Sequence, residues 1–330
     1  MKKTFLAVIL SLVCFIAIAQ NTGQTGDFLS RLYNRVNYDT AYIGRPVGTK
    51  WTIKLRTILL WQNFHTKGIY EDTEFASSLR TDLKPKLNMQ VGYMGIAIGG
   101  GVSFNKLIGR EDRDFDFKLN MYGKKFGFEF GLSGISSLHG TYTIKFDNYN
   151  FTFNLPEDFV EQVTMTLNFY YAFNNKKFSY PAAFTQMFIQ KKSAGSLLAG
   201  GELYVNAISI GDSIQETELY KLTNATLGIG VGYGYNLVLP HDWLLHLSCL
   251  PYLVVDGGAT LRNYGEGEET RIRTEFPEVF LTARGAIIHN FNARWFAGIT
   301  MQLNYSNVNS KKMTNNNMQW QAIGFAGMRL

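Results

Sequence analysis

Leu227-Gly228-Ile229-Gly230-Val231-Gly232-Tyr233-Gly234-Tyr235 alternates a large apolar residue with glycine at every step. A strict period of two marks a β-strand with two unlike faces. After a break at Pro240-His241-Asp242, the alternation resumes through Trp243, Leu245, Leu247, Cys249, Pro251, Leu253 and Val255. Ala225 to Val255 therefore reads as a hairpin. Each run has the roughly 9–11 residues that a tilted strand needs to cross a bilayer. Tyr233, Tyr235 and Trp243 fall at the run ends, where aromatic girdles meet the lipid headgroups. The pattern implies a transmembrane β-barrel, and the rest of the chain supplies further copies of the hairpin.

The 330 residues are 15% aromatic, with 32 glycines and 7 prolines. Mean hydropathy is -0.08, too low for a bundle of membrane helices. It fits apolar outward faces averaged against a polar lumen, and equally a soluble all-β protein. The amino terminus separates the two. Lys2 and Lys3, the apolar run Phe5 to Ile18, and Ala17-Ile18-Ala19 before Gln20 read as a cleaved secretory signal over residues 1–19. Lipoprotein processing at Cys14 is the weaker reading, because Val13 before it is bulkier than that signal accepts. Cleavage leaves Cys249 as the last cysteine, which excludes an internal disulfide and suggests a small apolar residue on the lipid face. Loss of Lys2 and Lys3 lowers the net charge from +6 to +4. No basic run is interleaved with aromatics, so nucleic acid is not an expected partner. Gly99-Gly100-Gly101 sits inside a strand pattern with no following helix or lysine, so it is no phosphate loop, and no cofactor is expected.

In residues 20–49, Phe28, Leu29, Leu32, Tyr33 and Val36 recur at helical spacing. They suggest a periplasmic amphipathic helix or plug, or a tail that docks weakly. The barrel is expected over 50–330. Strands are read near 50–61, 86–93, 96–104, 115–122, 126–132, 163–173, 197–208, the opening pair, 279–288, 295–305 and 318–330. Short connections alternate with long ones, as tight periplasmic turns alternate with external loops. The expected architecture is an antiparallel up-and-down barrel of about twelve strands. Two stretches resist. Residues 174–196 are too long for a turn and read as a lumen plug or added strand. Thr141–Phe146 and Phe151–Phe153 read as a hairpin in an external loop. Both together would raise the count to about fourteen.

Tyr38-Asp39-Thr40-Ala41-Tyr42-Ile43, Ser179-Tyr180-Pro181-Ala182-Ala183-Phe184 and Gln190-Lys191-Lys192-Ser193-Ala194-Gly195-Ser196 are similar to signatures of a Bacteroidota outer-membrane barrel family of unknown function, domain-of-unknown-function family 4421. The resemblance covers nearly the whole mature chain. It implies the barrel fold and the outer membrane of a Gram-negative bacterium, and no activity.

Alternation places Lys50, Lys54, Arg56, Asp116, Glu129, Glu202 and Arg284 in the lumen, with Arg329 a further candidate. A basic, water-filled lumen would favour anions. A closed interior in which these charges pair is the alternative, since twelve strands enclose less space than a 16–18-stranded porin. The glycines opposite Leu227–Tyr235 either make room for a plug or allow curvature. His246 and Ser248 share a strand face, and a similar histidine-x-serine pair serves outer-membrane lipid hydrolases. Here that face points inward, so a polar lumen pair is the simpler reading. His65, His139, His241, His246 and His289 are scattered, and no metal site is read from them. Glu71-Asp72-Thr73-Glu74 and Glu266-Gly267-Glu268-Glu269 read as loop charge that would at most bridge calcium to lipopolysaccharide. Three functions follow: a small channel or plugged barrel for small solutes, a surface-interaction barrel acting through its external loops, and a lipid hydrolase. Expected partners are outer-membrane lipid, lipopolysaccharide and the barrel-assembly machinery.

Overall fold

The computed structural model describes residues 38–46, 50–70, 73–108, 113–123, 125–146, 149–212, 217–263, 269–274, 277–310 and 313–330. The expected signal peptide and the helix over 28–36 lie outside them. In chain order the strands are β1 (Ile43–Gly44), β2 (Trp51–Tyr70), β3 (Thr73–Thr81), β4 (Lys86–Tyr93), β5 (Ile96–Ser103), β6 (Phe115–Tyr122), β7 (Phe126–Phe146) and β8 (Tyr149–Ala172). They continue as β9 (Ile189–Gln190), β10 (Ala194–Asp212), β11 (Thr217–Leu239), β12 (Trp243–Asn263), β13 (Glu269–Arg273), β14 (Val279–Asn290), β15 (Trp295–Asn309) and β16 (Met313–Arg329). Two short helices are α1 (Phe104–Leu107) and α2 (Tyr180–Phe184).

Antiparallel pairing runs around a ring, with β16 joining β2 and β11 joining β12. The main sheet has 14 strands, of which β3 and β13 are side branches, leaving a closed ring of twelve. Closure leaves no apolar strand edge within the membrane. The expected hairpin at 141–153 is present, but it lengthens β7 and β8 instead of adding strands to the ring. Residues 174–193 add no ring strand either, so fourteen is not the ring count. Tight turns gather at one end. At Met94-Gly95 both residues have positive φ, +44° and +94°, the geometry that a two-residue hairpin requires.

The faces divide cleanly. On β2, Trp51, Ile53, Leu55, Thr57, Leu59 and Trp61 point outward, while Thr52, Lys54, Arg56, Ile58 and Leu60 are buried inside. Trp51 pairs with Tyr93 (4.5 Å between ring centroids) and Trp61 with Trp320 (6.3 Å). Ten residues at about 3.3 Å each, tilted by about 40°, separate the two aromatic levels by roughly 25 Å, the height of an apolar membrane band. Beyond Trp61 the outward residues of β2 turn polar, at Asn63, His65 and Lys67. β2 has 20 residues, β8 has 24 and β11 has 23, so the strands continue about as far again beyond the band. This overshoot is why strands expected to end near Trp61, Leu132 and Ile208 run on. Outside lipid the ladder persists while the apolar alternation that marks it stops.

The interior is filled in three layers. At the loop end, Leu60, Phe64, Leu79, Leu138, Val160 and Leu261 belong to one buried apolar cluster. At the turn end, plug residues pack against the wall in two further clusters. Between them lies a polar, charged layer.

Candidate functional site

The plug begins where β8 ends. Asn174 opens it, its amide N–H bonded to Ser196 Oγ (2.9 Å). Ser179 caps α2 by accepting from the Ala182 amide (3.3 Å), and Pro181 follows where a missing N–H costs nothing. β9 then pairs with β1, so residues 38–46 close over the plug from the turn end. Lys191 N donates to Tyr42 O (2.7 Å), and Tyr38 packs edge-on against Phe188. Phe178, Tyr180, Ala183 and Phe188 are buried. Plug and extra strand both remained open from sequence for 174–196. The buried α2 makes 174–193 a plug, and β10 takes the stretch from Ala194 onward.

Polar side chains of the wall fasten it. Lys54 Nζ donates to Phe184 O and Gln186 Oε1, both at 2.9 Å. Arg329 Nε donates to Gln186 O (2.6 Å), and its guanidinium lies over Phe296. Asn236 Nδ2 donates to Ser179 O (2.9 Å) and Gln190 Oε1 (3.0 Å). Asn236 Oδ1 meets His246 Nδ1 at 2.6 Å, and His246 Nε2 meets Ser248 Oγ at 3.0 Å. Ser248 Oγ in turn lies 3.3 Å from the Tyr180 hydroxyl. The order Asn236–His246–Ser248 is that of an oriented base beside a hydroxyl. It faces inward, Ser248 is 1% exposed, and the plug covers it. Asn236 was missed from sequence because its partner stands ten residues away across a hairpin; cross-strand register is the signal that finds it.

Behind the plug lies the charged layer. Lys54, Arg56, Asp116, Glu202 and Arg284 are buried and face inward. Glu129 Oε1 accepts from Arg284 Nη1 (2.7 Å) and the Tyr122 hydroxyl (2.6 Å). Glu202 accepts from Thr282 (3.1 Å) and Asp116 from Asn88 (3.1 Å). Lys50 departs from the expected lumen set. β2 begins at Trp51, so Lys50 lies on the rim, exposed, where strand alternation no longer steers its side chain.

The inward glycines of β11 make room. Gly230 lies beneath the Tyr252 ring, Gly228 beneath Phe280, and a Cβ at Gly234 would stand 3.1 Å from plug residue Phe178. Cys249 is exposed on the outer face. At the loop end Asp82, His139 and Glu157 bring one ligand atom each within 4.8 Å of one another, a grouping that the scattered histidines did not suggest. Arg80 Nε already donates to His139 Nε2 (3.1 Å), and Lys84 pairs with Glu157 (2.5 Å), which disfavours a cation there. Of the two acidic stretches, Glu71, Asp72, Glu266 and Glu268 lie outside the described residues; Glu74 approaches Lys145 at 3.8 Å.

A family model described as a domain of unknown function (DUF4421) matches residues 37–329. No curated protein matches the chain. Among solved structures, the outer membrane protease OmpT from Escherichia coli aligns at 7% identity over 86% of this chain and 98% of its own, with a TM-score of 0.46. The translocator domain of the autotransporter NalP from Neisseria meningitidis aligns at 13% identity over 95% and 98%, with a TM-score of 0.33. Ail of Yersinia pestis aligns at 8% identity over 83% and 97%, with a TM-score of 0.26.

Proposed function

This chain belongs to the DUF4421 family, and for this member we propose an integral outer-membrane barrel of a Gram-negative envelope that is plugged and non-conducting at rest. One observation carries the reading: the lumen is filled at two levels, by the plug at the turn end and by the Phe64–Leu138–Leu261 cluster at the loop end. On this reading the turn end is periplasmic and the loop end is external. The external end projects about 25 Å beyond the upper aromatic level. It carries the exposed aromatics Tyr149, Phe151 and Phe153, so it is the part placed to meet partners at the cell surface. Outer-membrane lipid and lipopolysaccharide surround the band, and the barrel-assembly machinery inserts it. The test is single-channel recording of the refolded chain in a planar bilayer. Silence is expected, and steady conductance would overturn the closed reading in favour of a small-solute channel.

A second reading, lipid hydrolysis, has one favourable observation, the hydrogen-bonded chain Asn236–His246–Ser248. It requires the plug to leave and an oxyanion donor to appear. A serine-reactive fluorophosphonate decides: labelling of the wild type that is lost in Ser248→Ala supports hydrolysis, and no labelling leaves the trio as a fastening for the plug.

A further inference from the structure

The charged layer carries more cation than its bonds use. Between plug residue Phe184 and strands β15 and β16 lies a cavity of about 60 Å³. Lys54, Arg56, Lys118 and Arg284 line it, against the single carboxylate of Glu129. Three of these cations are engaged. Lys54 holds the plug, Lys118 Nζ donates to Gln321 Oε1 (2.7 Å), and Arg284 pairs with Glu129 (2.7 Å). Arg56 is not engaged: it is 4% exposed and makes no hydrogen bond or ion pair among the described residues.

Two neighbours repeat the shortfall. Gln90 also lines the cavity, and both polar atoms of its amide are buried without a partner among the described residues. Gly99 stands on β5 where a Cβ would come within 3.2 Å of Arg56 Nη1, so the glycine keeps that space open. Asp116, whose charge acts on Arg56 without bonding to it, and Glu202 share this layer and bring the carboxylates to three against four cations, which still leaves one positive charge in excess. A buried guanidinium with no carboxylate in hydrogen-bond or ion-pair contact is costly, and more distant charges and dipoles compensate it incompletely. We propose that this cavity binds a small inorganic anion, with Arg56 as its principal partner and Lys118 and the Gln90 amide as further donors. At about 10–15 Å³ of such space per water, the cavity holds about four to six water-sized bodies. That is enough for a halide, or for one tetrahedral oxyanion with a water beside it. Because Lys54 both lines the cavity and holds the plug, the anion sits where it screens the wall charges that the plug is fastened to.

The test uses the refolded full chain crystallised in sodium bromide, with diffraction data at the bromine edge. One anomalous peak beside Arg56 and Lys118 is expected, reduced at least fivefold in Arg56→Gln. Absence of the peak in the wild type overturns the proposal, as does a peak undiminished in the variant. If Arg56→Gln fails to fold, Lys118→Gln replaces it, with the same two outcomes. In detergent, the heat-unfolding midpoint of the wild type should rise with bromide against gluconate at equal ionic strength; an equal rise in the variant counts against the site. Conductance is independent of these readouts: a conducting barrel with a bromide peak would sink only the closed-barrel reading.

Discussion

Asn236→Leu tests whether polar fastening, and not enclosure alone, holds the plug. Asparagine and leucine branch alike at Cγ, so shape is nearly kept while hydrogen bonding is lost. Asn236 is 0% exposed and neutral, so no relief of charge burial confuses the sign. Leucine would break the bonds to Ser179 O and Gln190 Oε1 and the contact with His246 Nδ1. Gln190 Oε1 keeps its bond from the Ser179 amide, so the groups left orphaned are Ser179 O and His246 Nδ1. Each buried orphan costs about 1–3 kcal/mol, for a total of about 2–6 kcal/mol. Taking about 3 kcal/mol on docking, and a factor of ten per 1.4 kcal/mol, the undocked plug becomes roughly a hundredfold more populated. Hydrogen exchange of the peptide spanning 178–190 reads this directly. The Thr185 and Gln186 amides, both bonded to Pro181 O, should exchange about a hundredfold faster, while β14 amides stay protected. A plug peptide whose exchange changes less than about threefold, in a barrel that remains heat-modifiable, would refute the reasoning.

Leu247→Arg places a charge on the outer face between the two aromatic levels, at a residue 69% exposed. It should cost about 2–4 kcal/mol in lipid, seen as a lower urea midpoint for vesicle-embedded protein, and a neutral result would mean that this face does not meet lipid. Leu138→Ala, at a residue 0% exposed in the loop-end cluster, should cost about 2–5 kcal/mol and lower the heat-unfolding midpoint; no change would mean that the cluster is not a packed seal.

The sequence by itself determined the barrel. Twelve runs with period two, and turns alternating with long connections, sufficed because lipid outside and protein inside force every spanning strand to alternate. It also marked Lys54, Arg56, Asp116, Glu129, Glu202 and Arg284 as inward, since strand parity needs no tertiary contact. Parity failed at Lys50, one residue before the ladder starts, and the alternation fell silent above Trp61, where no lipid imposes it. Only the tertiary structure decided what fills the lumen. Residues 174–196 stay open between plug and added strand in the sequence because the plug's burial comes from the barrel wall around it, not from its own periodicity. Asn236 reaches His246 across a hairpin, Lys54 reaches Phe184 across 130 residues, and Arg56 makes no hydrogen bond or ion pair among the described residues. Those facts depend on register and ring closure, which set the distances between residues that local pattern cannot relate.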